Sequence, residues 1–152
     1  MIVEMIPLAI GAIIVAAMLL EIKTGRIPNW LTLLPFVLFA VLLGVAEDRT
    51  PLYWQMALAA GVFLFGIVMF AIGGSGAGAV KLMTGVALFV PVSKAGYAAL
   101  VFLLVFFVSS FIFVQLRKAF GSEDSSWHLM AKQVLPLSFS IGVAGLAGMF
   151  LL

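Results

Sequence analysis

The sequence of 152 residues contains no cysteine, a single histidine and only 9% charged residues. Without cysteine there is no disulfide staple and no thiolate metal site. The lone His128, in Ser126-Trp127-His128-Leu129, has no second ligand at metal spacing, so neither a metal nor another cofactor is expected. The low charge excludes a soluble domain, in which about a quarter of the residues are charged. A net charge of +2, from 8 basic and 6 acidic residues, falls short of a nucleic-acid footprint. What the chain does contain is apolar: 65% of residues are hydrophobic and the mean hydropathy is +1.32. Six apolar spans of about 20 residues would take roughly 120 positions and leave no room for an extramembrane domain. The expectation is an all-α integral membrane protein, a bundle of six transmembrane helices forming one domain over residues 1–152.

The first apolar run, Ile2 to Leu20, has no Lys or Arg ahead of it, carries Glu4 and Pro7, and shows no small-residue cleavage site. It reads as a retained helix and not as a signal peptide. A polar connection, Glu21 to Asn29, leads to a second run from Trp30 to Ala46. Glu47-Asp48-Arg49-Thr50-Pro51 breaks the chain before a third run, Leu52 to Ile72, which opens on the interface-favouring Tyr53 and Trp54. Gly73 to Gly78 stops that helix. Ala79 to Val92 is short, in the range where a span and a re-entrant segment compete. Ala95 to Leu116 and about Gln133 to Leu152 complete the set, joined by the polar stretch Arg117 to Lys132. Gly142, Gly145 and Gly148 would let neighbouring helices approach the last one closely. No repeat of about 20 to 50 residues is present, and the halves do not match as in an inverted-repeat transporter.

Charge arbitrates for the short fourth segment. If it spans, one face collects Lys23, Arg26, Lys81, Arg117, Lys118 and Lys132 against Arg49 and Lys94 on the other. If it turns back, the two faces tie, and the positive-inside rule has nothing to act on. Six spans with a short fourth helix follow, and the first and third connections then face the cytoplasm.

Those two connections are too particular to be mere linkers. Glu21-Ile22-Lys23-Thr24-Gly25-Arg26-Ile27-Pro28-Asn29-Trp30-Leu31-Thr32 resembles the first cytoplasmic loop of the type IV prepilin peptidases, which runs from an Asp through basic and turn residues to Ile-Pro-Asn and a new helix. Gly76-Ala77-Gly78-Ala79-Val80-Lys81-Leu82-Met83 resembles that family's Gly-x-Gly-Asp-Val-Lys-Leu signature. Lys132, Pro136 and Gly142 are similar to its closing segment. The resemblance covers the whole chain and is to the short form, without the methyltransferase region and its paired cysteines.

The resemblance implies a membrane-embedded aspartyl endopeptidase of a bacterial or archaeal cytoplasmic membrane. Such enzymes cleave a basic leader from prepilin-like proteins at the cytoplasmic face, just before the substrate's hydrophobic helix. Partners would be that helix, or pilus and secretion assembly proteins, within the lipid bilayer. The reaction needs two carboxylates at one water, one taking its proton and the other polarising the scissile carbonyl. The family's two aspartates correspond here to Glu21 and Ala79, with Gly76, Gly78, Lys81, Pro28 and Asn29 as the remaining motif positions. Glu21 keeps a carboxylate displaced by about 1 Å, a misplacement that can cost around a hundredfold in rate. Ala79 has no ionisable atom. The resemblance therefore implies a chain that is inactive as written.

Each feature also has a plainer account. Glu21 reads without the motif as a helix-end charge among headgroups, and Lys23, Arg26 and Lys81 as topology determinants. His128 reads as an interfacial anchor, Glu4 as an end-of-helix acid, and Phe102 to Phe113 as lipid-facing or packing residues. The glycines of 73–78 break a helix, and they are no phosphate loop, because Ala79-Val80 stands where Lys-Ser/Thr would follow. Three functions stay open: a natural pseudopeptidase serving as a binding or assembly subunit, a peptidase whose second aspartate was exchanged by design, and an unrelated small carrier using Glu4 or Glu21.

Overall fold

The structure, a computed structural model, describes residues 2–120 and 137–151, with side chains from Met5 onward. His128, Lys132 and Pro136, and the side chain of Glu4, lie outside the described residues. The elements are α1 (Ile2–Thr24), α2 (Asn29–Val45), α3 (Thr50–Ala71), α4 (Ala77–Ala87), a 3-10 turn at Val92–Lys94, α5 (Ala95–Phe120) and α6 (Leu137–Leu146), which continues as a π-helical turn over Ala147–Leu151. Six helices and no strand occur among the described residues. Met5–Thr24, Thr50–Ala71 and Val92–Phe120 are long and apolar enough to cross a membrane, and the other three helices are apolar but shorter. The fold is an all-α membrane bundle whose fourth helix is short.

The buried face of α1 follows helical spacing. Ile6, Ile10, Ile13, Ile14 and Ala17 are buried at steps of three and four, and Glu21 is the next position of the same stripe. The polar connection expected from Glu21 onward begins later than its composition suggests, because α1 runs on through Thr24. Glu21, Ile22 and Lys23 impose no break, and Thr24 Oγ1 bonds back to the Leu20 carbonyl at 2.7 Å. Gly25 ends the helix in the left-handed region, φ +68°, with its N–H on the Glu21 carbonyl at 2.7 Å. The third helix stops the same way. Gly73 has φ +76° and donates to the Phe70 carbonyl, while Gly74 donates to that of Met69 at 2.8 Å.

The short α4 is the centre of the bundle, buried on nearly every side from Ala79 to Leu88. Small residues let the longer helices reach it. A methyl at Gly85 would lie 2.9 Å from Pro35 on α2, and one at Gly66 on α3 would lie 2.6 Å from Val80. Gly145 on α6 packs against Val86, and Gly142 faces Ile14 and Met18 of α1, so the close approach expected at these last-helix glycines is present. By contrast α3 and α5 turn large apolar side chains outward, among them Phe65, Leu104, Phe107 and Phe111. Tyr53, Trp54 and Trp30 are exposed near helix ends, as interfacial anchors would be.

Candidate active site

The two loop motifs, 52 residues apart, meet at one end of the bundle. Lys81 Nζ donates to Asn29 Oδ1 at 3.0 Å. Just before these two residues the backbones themselves come close: a methyl at Gly78 would lie 3.2 Å from the Ile27 carbonyl oxygen and 3.2 Å from the Ile27 Cβ. A larger residue at 78 would push α4 and this loop apart by a few tenths of an ångström. Gly76, the N-cap, has nothing within contact range of an added methyl, so it leaves open space instead of closing a contact. Pro28, at φ −63°, precedes the first turn of α2 and accepts from the Leu31 N–H at 3.1 Å.

Glu21 is buried, and among the described residues its carboxylate accepts two hydrogen bonds, both from Ser138 on α6. The Ser138 N–H donates to Oε2 at 2.8 Å, and the Ser138 hydroxyl donates to the same oxygen at 2.5 Å. Ser138 lies on α6, and its backbone N–H points to Glu21 together with its hydroxyl. The carboxylate thus joins the end of α1 to α6. Its other oxygen takes no hydrogen bond from the described residues.

Ala79 is 5% exposed and belongs to the same apolar core as Ala17, Ile27 and Ile141. It lines a small cavity of about 160 Å³ with Ser75, Met83, Phe106, Leu137 and Ile141. Neighbouring residues of α6 therefore face the two positions, Ser138 binding Glu21 while Leu137 lines the cavity that holds Ala79. Two features of this cavity suit a carboxylate that alanine does not supply. The Ser75 hydroxyl is buried without a hydrogen-bond partner among the described residues. The first backbone bond of α4 runs from Val80 N–H to the Gly76 carbonyl at 3.2 Å, leaving the N–H groups before it without an acceptor in the helix.

Ser138 and Ser75 carry no motif and were not singled out from sequence. The signal available for Ser138 was indirect: Glu21 continues the α1 stripe inward and therefore needs a buried donor. Among the described residues no group of three or more His, Asp or Glu side chains could hold a metal.

Two connections, one with Gly25 and Pro28 and the other with Gly76 and Gly78, thus meet at the start of a short central helix, and the buried Glu21 is held by Ser138 on α6. The sequence profile of the Type IV leader peptidase family matches residues 8–117, well over half of the chain and both motifs, and the chain belongs to that family. No significant match to a curated protein or to a solved structure was found.

Proposed function

We propose that this chain is a pseudopeptidase: it keeps the prepilin-peptidase scaffold as one domain over residues 1–152 and binds prepilin-like helices, or a pilus or secretion assembly, without cutting them. The observation that carries this reading is the buried Ala79 in the cavity with the Ser75 hydroxyl, which has no partner among the described residues. Acid and base work at one water needs two carboxylates. Of the 6 acidic residues, Glu47 and Asp48 follow α2 at the end away from the site, and Glu21 is the acid at the site among the described residues. In this reading Glu21 and Ala79 are the two carboxylate positions, Gly76 and Gly78 open the approach to them, and Pro28, Asn29 and Lys81 brace the loop against α4. The basic residues of the first and third connections support a multi-pass chain in the cytoplasmic membrane with this end inside.

The test is cleavage of a panel of prepilin-like substrates in membranes, read by intact mass, for this chain and for Ala79→Asp in parallel. The expected result is no product from the unmodified chain, with a substrate helix retained on purification. Cleavage by Ala79→Asp would show Glu21 and the scaffold to be competent with one carboxylate restored. Specific cleavage by the unmodified chain overturns the proposal.

A further inference from the structure

We propose that the groove between α2 and α3, floored by α4, holds an acyl chain of an anionic phospholipid whose phosphate sits on Lys81. The groove has a volume of about 460 Å³ and is walled by Phe36 and Leu43 from α2, Met56 and Phe63 from α3, and Thr84 and Leu88 from α4. Met56 and Phe63 are each more than a third exposed, so this is an outer face of the bundle, where hydrocarbon tails are the surrounding medium. An apolar furrow alone would name no occupant. Lys81 does, because it is the charged member of the lining and stands at the polar end.

The Lys81 stem is half-buried along the groove, and its ammonium reaches out to Asn29 Oδ1 at 3.0 Å. An ammonium has three N–H donors, and Asn29 uses one. No carboxylate pairs with Lys81 among the described residues. The same end of the bundle carries exposed Lys23 and Arg26, while its one described acid, Glu21, is buried on Ser138. A phosphate with no compensating cation complements that pattern. A choline headgroup would bring a positive charge with no carboxylate among the described residues of this groove to receive it. Asn29 fixes the ammonium at the mouth, so the headgroup and the chain below it are read together.

This inference is independent of proteolysis, and its test needs no substrate. The full chain is released from detergent into a native mass spectrometer with equal amounts of phosphatidylglycerol and phosphatidylcholine carrying the same acyl chains. The glycerol lipid should be retained about fivefold over the choline lipid, the effect of one lysine near an anionic surface. Lys81→Gln should bring the two to parity, Lys81→Arg should keep the preference, and Lys23→Gln should leave it unchanged. Ala60→Phe, which fills the groove from an exposed α3 position, should reduce retention of both lipids. Helical content and monodisperse elution confirm that each variant is folded. Parity in the unmodified chain, a preference that survives Lys81→Gln, or full retention by Ala60→Phe each overturns the site. So does crosslinking from Ala60→Cys that captures a second copy of the chain across the groove.

Discussion

Helix α1 and helices α3 and α5 have much the same composition, yet 33% of the apolar window of α1 is buried inside the bundle against 11% for each of the other two. Hydropathy records what is compatible with lipid, and all three qualify. Small residues set the approach where helices do meet, Gly142 admitting Ile14 and Met18 and Gly66 of α3 admitting Val80, whereas Gly61 on the outer face of α3 meets nothing within contact range. The inner trio of α1, α4 and α6 also carries the polar linkage between Glu21 and Ser138, and the outer pair carries exposed phenylalanines. In a bilayer, where apolar surface gains nothing by leaving lipid, close backbone approach and buried polar bonds must hold helices together.

Substitutions that exchange the character of the two regions test this contrast. Gly145→Leu drives a side chain into Val86 at the centre and should cost about 3 kcal/mol or more, seen as loss of a monodisperse species in detergent, while Gly61→Leu elutes as the parent does. Next comes Glu21→Ala, which leaves the Ser138 N–H and hydroxyl without an acceptor. It should lower stability by about 2 kcal/mol in thermal unfolding, with Glu21→Gln recovering most of the loss because an amide oxygen still accepts. Ser138→Ala removes one of the two donors and should cost about 1 kcal/mol by the same measurement. Asn29→Ala, breaking an exposed bond to Lys81, should cost about 0.5 kcal/mol. The smallest change belongs to the periphery. Phe107→Leu, at a position 68% exposed, should shift the unfolding midpoint by less than about 0.5 kcal/mol equivalent. A Phe107→Leu effect as large as that of Ser138→Ala would erase the distinction between inner and outer helices.

Much of this was legible in the residues. Long apolar runs gave α1, α3 and α5, the glycines of 73–78 gave the start of a short fourth helix, and the two loop motifs gave the end of the bundle where they meet. The end of α1 was harder to see, because a run of polar residues looks like a connection although Glu21, Ile22 and Lys23 all accept helical backbone. The periodicity from Ile10 through Ile14 and Ala17 to Glu21 was the better guide. Ser138 was not legible, since a serine in an apolar helix has no distinguishing neighbour and its role comes from a contact 117 residues away. The groove at Lys81 depends on the splay of α2 and α3 around a helix shorter than either, which no local pattern encodes.

Because Gly25, and not Glu21, ends the first helix, the carboxylate is phase-locked. Each residue of a helix turns the next by about 100°, so one residue inserted between Ala17 and Glu21 would swing the carboxylate out of the core and away from Ser138 entirely. A group on a flexible loop could absorb such a slip, and this one cannot. The freedom left at position 21 is the length of the arm and not its bearing. An exchange between aspartate and glutamate there lengthens or shortens reach along a fixed heading, toward Ser138.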